Sequence, residues 1–345
     1  MDAPNIPDNV KAQAEAARNT MKFPSVSVIG CGGFGVNMVK KHVEANQMYD
    51  DEIKYSIVDT SRSNLSGISN KIEQFILAET GAGKIRSTHV DTIQQNLDSC
   101  GVLQRISDIN VVIFSFSGGS GSVIGPLLAN EITSHPMNKA VILVGVIDDC
   151  SKMDCVNSIN TLKSLRNLAK GKAYYPLMLY TNEAGRVTVN SSVLADIDAA
   201  IRVFTDRSVQ ELDLTDKLNF LNPINLGCTE RDVFIVGFLT DELTENTSIA
   251  QNCGRQVIMS KNLKTHASLS VNSSGKSAAV MSDVAFVGVS DKSTYTALIG
   301  MPIPDTAVHA LNKKYEKFTK VSQIHASVAD ESIQSGATHA SGITL

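Results

Sequence analysis

No long basic stretch occurs in this chain. Its formal net charge is −4 over 345 residues, which argues against direct nucleic-acid binding through a charged face. It also lacks a CxxC pair or any Cys/His spacing of the zinc-site kind. Of its six cysteines only Cys150 and Cys155 are close, the pattern of reduced cytoplasmic thiols. No apolar run approaches the length of a membrane span. The polar start, MDAPNIPDNVKAQAEAARN, has no signal-peptide apolar region, and there is no internal repeat. These absences leave a soluble cytoplasmic protein as the expectation. Hydrophobic residues at 43% and charged residues at 19% fit an ordinary globular core, in one large domain or two packed ones.

Apolar runs alternate with helical patterns through the first half, which predicts an α/β domain with a mainly parallel sheet. Strands are expected at Val26–Ile29, Tyr55–Val58, Val111–Phe116, Ala140–Ile147 and Pro176–Tyr180. Helices are expected at Gly35–Ala45, Asp91–Leu103 and Ile124–Ser134. A longer helix runs from Ser192 to Phe204, with Val193, Ile197, Ile201 and Phe204 on one apolar face. Beyond Asp213 the texture shifts to strands at Asp232–Leu239, Ala267–Val271 and Val284–Val289, a smaller α+β unit. A last amphipathic helix within Pro302–Val321 would bury Val308, Leu311, Tyr315 and Phe318. Residues 6–21 read as a short helical extension. Residues 322–345 contain no Lys, Arg or aromatic residue and read as a flexible tail.

Two glycine loops carry the chemistry. Gly30-Cys31-Gly32-Gly33-Phe34-Gly35 follows a strand and opens a helix, and Asp59 ends the next strand 24 residues beyond Gly35. Alone, this fits a dinucleotide fingerprint with Asp59 on a ribose, or a tight packing turn. Ser117-Gly118-Gly119-Ser120-Gly121-Ser122 follows another strand and enters another helix. Bare backbone N–H groups backed by a helix N-terminus suit phosphate, and the loop lacks the lysine of a P-loop. A second cradle favours one nucleotide with several phosphates over a dinucleotide. Gly81-Ala82-Gly83-Lys84 could close over a terminal phosphate. It is not a Walker motif, and Lys84 and Arg86 read as solvated loop charges.

GCGGFGVN at 30–37 and SGGSGS at 117–122 together resemble the tubulin/FtsZ superfamily of GTPases. SGGSGSVIGPLL at 117–128, VNSINTLKSL at 156–165, ELDLTDKLNF at 211–220 and KYEKFTK at 314–320 resemble its phage-encoded tubulin-like members of the PhuZ type. Ser117 stands where the signature loop has its first glycine, and Phe34 adds bulk to the first loop. The resemblance spans residues 25 to 320. It implies an N-terminal extension (1–24), a GTPase domain (25–190), a central helix (191–212), a C-terminal activation domain (213–321) and a tail (322–345).

The resemblance also implies residue roles. Gly32, Gly33, Phe34, Gly35 and Asn37 would lie near the α- and β-phosphates, with Asp59 in the same set. Gly118, Gly119, Ser120, Gly121 and Ser122 would surround the β- and γ-phosphates, closed by Gly81, Ala82 and Gly83. Asp154 and Asn157 would touch the ribose, although Asn157 also reads as a helix-cap residue. Asn182 would recognise guanine, or simply make a turn. Asp196 would accept from guanine N1 and N2, because Ala195-Asp196 replaces the family's Asn-Asp pair. Asp213 and Asp216 would enter the next subunit's site and orient the attacking water; from residues alone they read as helix-capping acids. GTP or GDP is then the ligand, with Mg²⁺ held through it and not by direct protein ligands. The partner is a second copy of the chain, head to tail, with phage capsids or DNA compartments as cargo. Neither nucleic acid nor membrane is expected to be contacted directly.

Overall fold

The structure, a computed structural model, describes residues 24–46, 53–137, 139–170, 173–182, 185–205, 215, 218, 221–222, 233–239, 268–270, 279–281, 289–290, 293–294, 296–302 and 309–323. The expected strand at Val284–Val289 therefore lies almost wholly outside the described residues. So do Asp213, Asp216, Val308, the N-terminal extension apart from Pro24, and nearly all of the tail.

Apolar runs build the centre of the sheet. β1 (Val26–Cys31), β2 (Ile53–Asp59), β3 (Ile72–Ile76), β4 (Ile109–Ser115), β5 (Ala140–Ile147), β6 (Tyr175–Thr181) and β7 (Val233–Leu239) follow in chain order, and a helix separates each successive pair among the first six except β2 and β3. Their spatial order is β3-β2-β1-β4-β5-β6-β7, all parallel, and β12 (Thr296–Pro302) pairs antiparallel with β7 at the far edge. β1, β5 and β6 are buried along their entire length, as sheets covered on both faces require. Two short antiparallel pairs stand apart: β8 (Ser268–Ser270) with β9 (Ala279–Met281), and β10 (Val289–Ser290) with β11 (Ser293–Thr294).

Strand alternation sends side chains to two cores. Val26 and Val28 of β1 face α1 (Gly32–Ala45) and α5 (Arg186–Thr205), where Val193, Ile197, Ile201 and Phe204 are buried. Ile29 and Cys31 face the other side, against α2 (Val90–Leu97), α3 (Gly121–Thr133) and α4 (Lys152–Ala169). Each fully buried Ile, Leu or Phe stabilises this three-layer arrangement by about 1.5–3 kcal/mol. A last helix, α6 at 309–323, buries Leu311 in the second core and leaves Tyr315 and Phe318 half-buried. Its Lys314 pairs with Asp149, and Lys152 Nζ lies 5.3 Å from the Tyr315 ring centroid. No described helix is long and apolar enough to cross a membrane.

Several boundaries differ from the sequence reading. α1 opens at Gly32 and not Gly35, α3 at Gly121 and not Ile124, and α5 at Arg186 and not Ser192. The helices at Gly32 and Gly121 open with Gly-Gly and Gly-Ser inside the glycine loops, which read as loop, and the first turn of α5 carries an exposed Val187 that breaks its apolar periodicity. α2 stops at Leu97 instead of Leu103. Gly101, at φ +88, breaks the path, and Val102–Gln104 forms a separate 3-10 turn. The sequence reading assigns no element to β3 or α4, although Asn157 reads there as a helix-cap residue.

Candidate functional site

β1 and β4 are neighbours, but the chain leaves them in opposite directions across the sheet: β1 is followed by β2 on one side, β4 by β5 on the other. At such a switch point the connections diverge and open a crevice beyond the carboxyl ends of the strands, the usual ligand position in open α/β sheets. Both glycine loops sit there. They line one cleft of about 190 Å³ together with Asp59, Ser61, Ser63, Asn64, Ser115 and residues 81–84.

The walls are backbone against backbone. Gly32, at φ +67, begins α1 directly beside Gly121, which begins α3. A Cβ on Gly121 would fall 2.4 Å from the Cys31 carbonyl oxygen, and one on Gly32 would fall 2.6 Å from the Gly121 nitrogen. Two helix N-termini thus converge on the cleft. Their first-turn N–H groups lack intrahelical acceptors, and the helix dipoles favour negative charge there. Gly119 faces residues 81–84: its Cβ would meet Ala82 Cβ at 2.8 Å and Lys84 N at 3.1 Å. The third small-residue segment is therefore packed on the signature loop.

Asp59 is the sole acidic residue lining the cleft among the described residues, and both its oxygens are engaged. Oδ1 accepts from Thr60 N–H at 2.7 Å and Oδ2 from Asn64 Nδ2 at 3.2 Å. Burial nonetheless raises its pKa, against the lowering effect of those bonds and of Ser120. Burial, with the Asp59 charge adding to it, also pushes the Cys31 thiol up, so that residue stays protonated and inert. Thr60 Oγ1 and Ser120 Oγ, 2.6 Å apart, tie the loop after β2 to the signature loop.

The polar face of α4 holds the loops from behind. Asn157 Nδ2 donates to Lys84 O at 2.8 Å and to Ser117 O at 3.0 Å. Thr161 Oγ1 donates to Phe116 O at 2.9 Å. Arg86 crosses between them, donating to Ser122 O at 2.7 Å, to Thr161 Oγ1 and to Ser164 Oγ at 3.1 Å. Burial lowers the Arg86 guanidinium to about 10. Arg86 is thus no solvated loop charge; it is a clamp across three segments. Lys84 is likewise engaged, 2.9 Å from the buried Asp154 carboxylate. Below the signature loop, Phe116 stacks on Phe114 with ring centroids 5.3 Å apart. The Phe116 ring also covers Gly145, where a Cβ would fall 2.0 Å from Cε2.

The structure brings together most of the expected residues. Gly32, Gly33, Phe34, Asp59, Gly81, Ala82, Gly83, Gly118, Gly119, Ser120 and Gly121 all line the cleft. Gly35, Asn37, Ser122, Asp154, Asn157, Asn182 and Asp196 do not. Gly35 packs against Ile113 O, and Asn37 lies exposed on α1. Ser122 folds its hydroxyl back onto Gly118 O and Gly119 O, at 2.6 and 2.9 Å. Ser151, not Asn157, caps α4: its hydroxyl accepts from Asp154 N–H at 3.1 Å. Asp196 accepts from Tyr180 Oη–H at 2.8 Å, whereas Asn182 Oδ1 is buried with no hydrogen-bond partner among the described residues. Sequence reading missed Ser61, Ser63 and Asn64, whose signal was the run of small polar residues just after β2.

Residues 25–175 match the Tubulin/FtsZ family, GTPase domain. The match covers less than half of the chain. Curated relatives of the tubulin-like domain include the phage tubulin-like protein of Pseudomonas phage PhiPA3, 26% identical over 204 residues. That alignment covers 56% of this chain and 61% of the relative. The phage tubulin-like protein of Pseudomonas phage 201phi2-1 is 24% identical, over 60% of this chain and 68% of its own. The chain therefore spans less than two thirds of the PhiPA3 protein it matches. Among solved structures, the phage tubulin PhuZ with GDP superposes with a TM-score of 0.69 at 16% identity, covering 93% of this chain and 99% of that one. A protofilament of TubZ from bacteriophage PhiKZ does so with a TM-score of 0.66 at 17% identity and the same coverage. Both establish a shared tubulin-like fold.

Proposed function

We propose that the protein is a tubulin-like GTPase that assembles head to tail into filaments. The observation that carries this reading is the contact of two glycine-lined helix N-termini, at Gly32 and Gly121, in one crevice at the sheet's switch point. A single helix end neutralises about half an elementary charge, so a polyphosphate calls for more than one. The family match adds the nucleotide's identity, and the PhuZ relative was solved with GDP. The assignment of Asn182 and Asp196 to guanine rests on the family resemblance; both lie outside the cleft lining, Asp196 accepting from Tyr180 and Asn182 Oδ1 buried with no partner among the described residues.

Among the described residues no group of three or more His, Cys, Asp or Glu could hold a metal ion, and Asp59 is already bonded at both oxygens. Mg²⁺ fits this site through the nucleotide's phosphates, where it would neutralise charge. Asp213 and Asp216 of the next subunit orient the attacking water in this reading, so hydrolysis depends on assembly. A head-to-tail interface does not close, and it yields an open filament. Relatives solved as a TubZ protofilament and a PhuZ201 filament support self-association. Residues 25–190, 191–212 and 213–321 then act as GTPase domain, central helix and assembly unit. In an infected bacterium's cytoplasm such filaments would position phage DNA or capsids.

Light scattering with GTP, GDP, ATP and NAD in the presence of Mg²⁺ tests the reading. Assembly is expected with GTP alone. No assembly with GTP at micromolar protein would sink it, and NAD binding would favour a dinucleotide enzyme built on the first loop. Asp213→Ala and Asp216→Ala should retain filaments and lose most turnover. Unchanged turnover would leave a filament former whose hydrolysis uses other groups.

A further inference from the structure

Lys84 is the one cation among the described residues lining the cleft. It is also the one non-glycine residue among them with a left-handed backbone, at φ +65. Such conformations are uncommon outside glycine and collect at ligand clamps and switches, because surrounding contacts must hold them. Here the holding contact is visible: Asn157 takes the Lys84 carbonyl at 2.8 Å, while Gly119 packs against its backbone. The main chain is pinned and the side chain is 58% exposed. Its ammonium rests on Asp154, a carboxylate only 3% exposed that keeps a second donor, the Ser151 hydroxyl at 2.6 Å.

We propose that Lys84 sets the preference of this site for a nucleoside triphosphate over a diphosphate, by exchanging Asp154 for the terminal phosphate. The proposal rests on the nucleotide reading above. Asp154 offers one negative charge. A terminal phosphate carries about 1.5–2 negative charges and three strong acceptor oxygens, and no other lining side chain could neutralise it. Asp154 keeps its Ser151 bond when the ammonium leaves. With a diphosphate nothing competes, and the pair stays closed. A cation engaged in only one nucleotide state separates the affinities of the two, whereas a merely structural ion pair would move both together.

The test is calorimetric titration of GTP and of GDP, each with Mg²⁺, into protein dilute enough to remain unassembled. Lys84→Met is expected to bind GDP like the parent and to lose about tenfold of the GTP-over-GDP preference, the size of one charge-assisted hydrogen bond. Lys84→Arg should retain most of it. Asp154→Asn, which releases the ammonium, should raise the preference, and it keeps the test decisive if Lys84→Met does not fold. An unchanged GTP/GDP ratio in Lys84→Met, or a lowered one in Asp154→Asn, overturns the proposal while leaving the nucleotide reading intact. A parent protein that binds neither nucleotide overturns both.

Discussion

Asn157 holds the Ser117 carbonyl oxygen at 3.0 Å with the same amide nitrogen that holds Lys84 O at 2.8 Å. One buried side chain on α4 thereby fixes the distance between two loops 33 residues apart in sequence. Asn157→Ala leaves two carbonyls without their donor, at a cost of about 2 kcal/mol in total. Urea unfolding of the nucleotide-free protein should show that loss. Asn157→Asp, which has no donor to offer, should be at least as destabilised.

The contact of Gly121 with Cys31 predicts an asymmetry within the signature loop. Gly121→Ala places a Cβ 2.4 Å from a main-chain oxygen that belongs to a central strand and cannot retreat. Overpacking of this kind costs about 1–3 kcal/mol, and GTP affinity should fall by about tenfold or more. At Gly118 the nearest atom to a new Cβ is Ser115 Cβ, at an ordinary 3.7 Å. Gly118→Ala should therefore bind nearly like the parent when both variants are titrated calorimetrically with GTP.

Stability should depend on His42. Burial lowers its imidazole pKa below the ordinary 6.5, with Asp198 partly opposing the shift. The unfolded chain then takes up this proton at a higher pH than the folded one. The contribution of neutral His42 is complete above about pH 6.5 and is lost as pH falls through that value toward the lower folded one. Denaturant midpoints compared at pH 7.5 and 5.5 should show a drop that shrinks in His42→Gln. An equal drop in the variant would remove His42 from the account.

Leu311 links α6 to the core beside α4, at 4% exposure. Leu311→Ala should cost about 2 kcal/mol, the low end for a buried leucine because its neighbours on α6 are largely exposed. Hydrogen exchange should rise within 309–323 more than within α4. Affinity for GTP in the unassembled protein should not change.

The cleft itself was legible in sequence because its walls are made by strand-to-helix turns, where glycine content and flanking apolar runs coincide. α4 was not, for a physical reason. An apolar stripe is present at Cys155, Ile159, Leu162, Leu165 and Ala169, but Asp154, Asn157, Ser158 and Thr161 beside it are buried as well, so polar residues that would mark a solvent face lie inward and blur the pattern. β3 escaped because it is an edge strand; Glu73 and Gln74 interrupt its alternation, and only Ile72 is fully covered. Arg86 reads as a surface charge until α4 is known, since the oxygens that receive it come from residues 122, 161 and 164.

Phe116 and Gly145 amount to a single heritable character. The ring occupies the volume that any side chain at 145 would need, on the strand beside it. A descendant could gain a residue at 145 only after position 116 had shrunk. The opposite order of mutations passes through a protein whose signature loop is lifted off its sheet. The order of the two changes is in that sense fixed: the floor must be cleared before its neighbour can change.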